Sequence, residues 1–453
     1  MQSEGLFGIV VVLLALLAIG LFLERESTRP DSLVRVIYLR EGLLVLPRLA
    51  GTIGVASPVL GAGVQALTYF LIWVVAAFAV LRPSADTSGR GLWLAGLAIP
   101  VTAIATDLTI TDIEPARNTL QEQLTFALLV TALWRAPRLD PALIIRYAKL
   151  VIGVMLVSSV LAIAAGLPGA LHDPNSTIPA VGRWSGTFSH PNAYGPAGVL
   201  YLVLERLQPS RLSVRVPMVG AALVAIVLSQ SKTAWAAALI VGTILAVTGW
   251  ARRRAVFAAL AATSLAAIGA LTLDAERFDI DGTPLGTVST LTGRTDLWAL
   301  GLERWQQSPW FGAGSGVFLD IANRTGQEWA GQAHNAYVSA LAENGIVGLL
   351  AVLGYLGALG VIAWRHAPGT RNASVALLAL LLVRTMTETP LMNFGYEELT
   401  ILALAFAWER DPPPPVAPNH RRKGLRSFRL PGWAGRQLSS NSRLIHPGSG
   451  GRS

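Results

Sequence analysis

Long apolar runs alternate with short polar links along most of the chain. A membrane-spanning helix needs about 20 predominantly apolar residues. Runs near that length fall at 5–23, 59–81, 90–106, 118–134, 147–166, 193–205, 214–229, 233–250, 255–273, 334–363, 372–391 and 396–409. They predict an all-α, polytopic integral membrane protein with about 12 transmembrane helices. Two stretches interrupt the pattern. Residues 24–58 carry Arg25, Arg29, Arg35, Arg40 and Arg48. Within them 36–57 reads as an interfacial amphipathic helix in preference to a further span, because Arg40, Glu41 and Arg48 are costly in hydrocarbon. The other interruption, 293–348, is polar and lies between long apolar segments, so it has to emerge into water. It contains Arg294, a helix with apolar positions at Leu297, Trp298, Leu302 and Trp305, a turn rich in Pro and Gly, and His334-Asn335 at the mouth of the next apolar run.

Composition agrees with the pattern: 52% of the residues are hydrophobic and 14% charged, against about 25% charged in soluble domains. With no cysteine, thiolate catalysis and Cys-ligated metals are excluded. The basic excess sits at one end. From Arg410 onward nine basic residues face the single acid Asp411 and account for eight of the formal +9. Residues 410–453 therefore read as a disordered basic tail against anionic lipid, and no basic groove for nucleic acid is indicated. Residues 1–409 form the transmembrane domain. The first run, 5–23, lacks preceding Lys or Arg and a following cleavage site and reads as an uncleaved anchor.

Basic links mark the cytoplasmic side. The links 135–146, 206–215, 252–254, 365–371 and the C-terminal tail are basic and share one side. The links 107–117, 167–192, 229–232 and the acidic loop 274–333 then face outward.

Cations on that outer side run against the charge bias, and three stand at or near span ends: Arg183, Lys232 and Arg294. Each alone suits a residue that snorkels to lipid headgroups or pairs with loop carboxylates. Gathered together they suit a diphosphate, which Arg grips in a bidentate fork and Lys does not. His334 opens a helix beside Asn335, and a histidine can take a proton from a hydroxyl at neutral pH; hydrogen bonding to loop backbone is the plainer alternative. His190 is a weaker candidate of the same kind. The glycines of 311–316 lack the following Lys-Ser/Thr of a phosphate-binding loop and read as a tight turn. Ser315 has no base and acid at a serine-hydrolase spacing. Asp279/Asp281 and Asp112/Glu114 lack a calcium-loop frame and read as solvated charges, so no metal site is expected. Arg384 and Glu388, four residues apart in the run 372–391, read as an intrahelical salt bridge.

Four motifs in order, GRWSGTFSHPNAYG, SQSKTAW, LTGRTDLWALGLERWQQSPWFGAGSGVF and HNAYVSALAENGIVGLL, resemble the O-antigen ligase and Wzy-type polymerase superfamily of bacterial cell envelopes. The likeness covers 180–350 and includes His334 followed after ten residues by Gly345. It departs at Lys232, where the family commonly has Arg, and at Trp298, where the ligases have Leu.

The resemblance implies a GT-C-like, metal-independent, inverting glycosyltransferase that needs no cofactor and uses a glycan on undecaprenyl diphosphate. In it Arg294 matches the family's loop arginine and His334 its catalytic histidine. Lys232, Arg294 and Arg183 would hold the diphosphate, with Asn192, Asn335 and Trp184 near sugar or acceptor; Trp305 and Trp310 read as interfacial anchors. The implied acceptor is a glycan, lipid or protein, and the implied place the outer face of the cytoplasmic (inner) membrane. A polymerase joining lipid-linked repeat units is the nearest alternative, and a lipid-linked glycan flippase an alternative of another class, with ionisable residues expected near midspan.

Overall fold

The computed structural model describes residues 58–81, 88–109, 117–136, 139–166, 170–172, 182–188, 190–246, 294–325, 331–391 and 395–410, together with Tyr38. The predicted runs 5–23 and 255–273, the loop residues 274–293 and the tail beyond Arg410 lie outside the described residues. So does all of 24–58 except Tyr38 and the first residue of the next helix.

Each described apolar run folds as a helix. In chain order these are α1 (Pro58–Leu81), α2 (Arg90–Asp107), α3 (Arg117–Arg135), α4 (Pro141–Ala164), α5 (Pro191–Leu207), α6 (Leu212–Leu228), α7 (Lys232–Ala246), α10 (Ala336–His366), α11 (Ala373–Thr387) and α12 (Tyr396–Arg410). The polar stretch adds α8 (Arg294–Gln307) and α9 (Val317–Thr325). The link 167–192, read above as facing outward, contains a two-residue antiparallel pair, β1 (Leu171–His172) and β2 (Arg183–Trp184), with Leu171 opposite Trp184. One boundary lies six residues before the predicted 147. Asp140 caps α4 by accepting from Ala142 N at 2.8 Å, and Pro141 follows at the first helical position, so Arg146 joins Lys149 in the helix and does not belong to a link.

α11 and α12 are buried on nearly all sides, which is where a helix apolar around its circumference belongs. α11 packs against α5, α7 and α10, and α12 against α4 and α10. Outer helices show the reverse of a soluble protein. On α4, Leu150 (60% exposed), Val154 (55%) and Leu161 (62%) form an outward stripe at helical spacing with Val157, as expected where the surroundings are lipid. Among the described residues two helices, α4 and α10, are long and apolar enough to cross a membrane.

The run expected to be one uninterrupted helix over 334–363 is broken. Within α10, Gly345 has φ 66° and ψ −161°, a region open essentially to glycine. The break divides a short stub, 336–344, from the segment 346–366, which rises about 31 Å at 1.5 Å per residue and so matches a hydrocarbon core of about 30 Å.

A break of this kind orphans carbonyls on one side and N–H groups on the other. The chain between α8 and α9 satisfies both. Ala313 N and Gly314 N donate to Ala342 O and Glu343 O at 2.8 Å each; Ile346 N donates to Pro309 O at 2.9 Å and Val347 N to Trp310 O at 3.3 Å. The stretch 309–315, which takes in most of the tight turn read at 311–316, is thus a strap laid across the gap.

Candidate functional site

The site forms where six segments, loops and helix ends, meet. Arg183 lies on β2. Asn192 stands in the first turn of α5, whose N-cap is His190: its Nδ1 accepts from Asn192 N at 3.1 Å. That gives His190 a helix-capping place. The turn between α6 and α7 supplies Ser229, Gln230 and Ser231, with Gln230 in a left-handed conformation (φ 47°). Gln230 Nε2 donates to Gly182 O at 2.6 Å and ties this turn to β2.

Arg294 opens α8, and its Nη1 donates to Thr387 O, an orphan carbonyl at the end of α11, at 2.8 Å. Trp298, one turn on, donates from Nε1 to Ala333 O at 2.7 Å, so α8 is fastened to the residue before His334. His334 has φ 51° and precedes Asn335, the N-cap of α10, whose Oδ1 accepts from Tyr337 N and Val338 N at 2.9 and 3.1 Å.

At the centre is Glu388. The salt bridge expected between Arg384 and Glu388 does not form, because α11 ends at Thr387 and Glu388 is extended (φ −149°, ψ 178°), which takes it off the helical face. Arg384 pairs instead with Glu397 at 2.9 Å and donates from Nη1 to Asn192 O at 2.7 Å. The carboxylate of Glu388 faces the loops. Its Oε2 lies 3.0 Å from Nδ1 of His334, its Oε1 accepts from Nδ2 of Asn192 at 3.0 Å, and Nη2 of Arg294 stands 3.6 Å from Oε1. One acid therefore joins Arg294 to His334, although 40 residues of sequence separate the two.

Asn192 is the second hub: its Oδ1 accepts from Nη2 of Arg183 at 3.3 Å and from Oγ of Ser231 at 3.1 Å. Arg183 also donates from Nε to Ser229 O at 3.4 Å. Both amides expected near sugar thus have protein partners, since Nδ2 of Asn335 donates to Met386 O at 3.3 Å. Trp184 is half-buried against the helical core. Lys232 is exposed at the start of α7, beside Ser231.

The electrostatics follow from this crowding. Burial works against a charge on Glu388, but the hydrogen bond and attraction of the His334 ring, then Arg384 and Arg294, outweigh it and hold the carboxyl down at about 2. An ionised carboxylate only accepts, so Nδ1 of His334 carries the proton and Nε2 is left with a lone pair when the ring is neutral. Burial lowers Arg294, with Glu388 opposing, and burial and the Arg294 guanidinium both lower Arg183. Arginine stays charged through such shifts. The result is two neighbouring guanidinium groups, one of them held by neutral oxygens, beside an imidazole whose Nε2 makes no hydrogen bond among the described residues. Such a set can hold an anion and accept a proton near it.

Fold and site together define a helical, membrane-type protein with a cation-rich polar cluster at its helix ends. Residues 217–353 match the family model described as O-Antigen ligase, which supports the O-antigen ligase/Wzy superfamily relationship and a ligase- or polymerase-type function in polysaccharide biosynthesis. That family points to a multi-pass inner-membrane protein acting on lipid-linked glycans in general. The matched stretch includes Lys232, Arg294, His334 and Asn335; Arg183, Trp184, Asn192 and Glu388 lie outside it. A comparison with curated proteins finds no match.

Proposed function

We propose that the protein transfers a glycan from undecaprenyl diphosphate to an acceptor hydroxyl at the outer face of the cytoplasmic membrane, by an inverting, metal-independent displacement of the O-antigen ligase type. The observation that carries this reading is the Glu388 carboxylate, which places the Arg294 guanidinium and the His334 ring on its two oxygens. Arg294 and Arg183, with Lys232 beside them, hold the diphosphate and stabilise the charge it gains. The acceptor oxygen bonds to the anomeric carbon as the bond from that carbon to the diphosphate oxygen breaks. The electron pair leaves with the diphosphate, and the acceptor proton passes to Nε2 of His334. Glu388 steadies the resulting imidazolium through its Nδ1–H. Asn192 and Asn335 act on this reading as holders of the site, and Trp184 borders it.

The test is transfer from a synthetic undecaprenyl-diphosphate glycan by purified protein. Arg294→Ala is expected to lower the rate by about 10²–10³-fold and His334→Ala by about 10²–10⁴-fold. Near-normal transfer by either folded variant removes its residue from the mechanism. Polymerase activity is separated by deletion of the gene: accumulated single lipid-linked repeat units mark a polymerase, and long unattached lipid-linked chains a ligase. A flippase would leave units on the inner leaflet; against it, Arg384, Glu397 and Glu398 fall in terminal helical turns and not at midspan.

A further inference from the structure

α8 and the stub of α10 carry Arg294 and His334 at their starts and run together as a pair held at both ends. At the near end Trp298 Nε1 bonds Ala333 O. At the far end the strap, residues 309–315, follows α8 directly and bonds the carbonyls of Ala342 and Glu343 that close the stub. Both ties oppose sliding and pivoting of the two helices relative to one another, and the loss of either leaves the spacing of their starts less constrained.

The strap is itself locked from outside the pair. Asp107, the last residue of α2 and 2% exposed, accepts from Ser315 N at 2.8 Å and from Ser315 Oγ at 2.9 Å. α2 packs along α10, so the carboxylate anchors the strap to a helix of the bundle. Gly312 completes the seat: at φ 74° it lies so close to the Glu343–Asn344 peptide that an added Cβ would stand 2.4 Å from Glu343 C.

We propose that the strap is a clamp that sets the spacing of Arg294 to His334, and that Asp107 is the positioning residue that locks it. Asp107 has no place in the chemistry written above and acts through Ser315 of the strap. Its effect on turnover rests on the proposed transferase reading, whereas its effect on geometry does not. A displacement of about 1 Å at reacting groups costs on the order of 10²-fold in rate, so a clamp distant from the reacting atoms still controls turnover.

The chain has no cysteine, which allows paired spin labels at Glu303→Cys on α8 and Gly331→Cys before His334 without background. The distance distribution is measured in the full chain in nanodiscs, and transfer kinetics in the unlabelled variants. With Asp107 intact one narrow distance is expected. Asp107→Ala should broaden it and lower kcat by about 10–100-fold with little change in KM for the donor. Asp107→Asn keeps an acceptor for Ser315 N and should restore most of both. Ser315→Ala, at a half-buried position, removes one of the two bonds and should fall between; it serves where Asp107→Ala does not fold. An unchanged distance in both Asp107→Ala and Ser315→Ala overturns the clamp. A broadened distance with unaltered turnover, or lost turnover at unaltered distance, overturns the coupling. If the unmutated chain transfers no glycan, the functional reading fails while the distance measurement still decides the clamp.

Discussion

Gly345→Ala and Gly354→Ala place the same substitution at two points of one helix, and the structure gives them opposite signs. At Gly354 an added Cβ meets nothing within 4 Å, and alanine is favoured over glycine in a helix by about 1 kcal/mol. At Gly345 the backbone occupies φ 66°, ψ −161°, where a side chain costs about 1–3 kcal/mol. There is no room either. The Cβ would stand 2.3 Å from both C and O of Trp310 and 2.5 Å from N of Phe311. These are main-chain atoms of the strap, and moving them breaks the bonds from Ile346 N to Pro309 O and from Val347 N to Trp310 O, each worth about 0.5–1.5 kcal/mol and more when the groups stay buried. The expected destabilisation is on the order of 3–5 kcal/mol. Thermal unfolding in nanodiscs, followed by tryptophan fluorescence, should rank Gly354→Ala at or above the unmutated chain and Gly345→Ala well below it. If Gly345→Ala melts with the unmutated chain, the break is not maintained by the strap and the reasoning fails.

Glu388 ionises at about 2 in the folded chain against 4.5 ordinarily. The stability it contributes, on the order of a few kcal/mol, is therefore present above about pH 4.5, the ordinary value, and lost as pH falls toward 2. Glu388→Gln should flatten that part of the stability profile. Glu388→Ala should lower transfer at pH 7 by about 10²-fold or more, since it releases Nδ1 of the proposed base; transfer at the unmutated rate would dismiss the Glu388–His334 pair. Lys232→Arg, at an exposed position, should fold normally and leave the donor KM unchanged or lower, because a guanidinium adds the fork an ammonium lacks; a raised KM argues against a phosphate contact there. Trp298→Phe leaves the Ala333 carbonyl without its donor and should cost about 1–3 kcal/mol by thermal unfolding.

The helices were legible because lipid-facing and buried positions are both apolar, so long runs stand out whatever their partners. Arg294 stood out as a cation in a loop on the side where the charge bias disfavours one, and His334 as a polar residue at the edge of an apolar run. Glu388 was misread from the same pattern: four residues after Arg384, it fits a helical pair only if the helix continues. The contrary signal was local. Pro390 disfavours helix at Thr389, which puts the end of α11 near Glu388 and turns its side chain away from Arg384. Asn335 and His190 also carried local signals as caps, one ahead of an apolar run and the other ahead of Pro191. The strap was beyond such reading, because its bonds run through main chain between segments some 30 residues apart, and main chain leaves no residue type behind except Gly312 and Gly345. This divides the work of the site in a specific way. On the proposed mechanism the motifs supply cations for an anion and an imidazole for a proton, but cations alone would oppose a positive charge arising on His334. A buried acid between them removes that opposition, so on that mechanism the residue least visible in the sequence is the one that joins Arg294 and His334, 40 positions apart, in a single site.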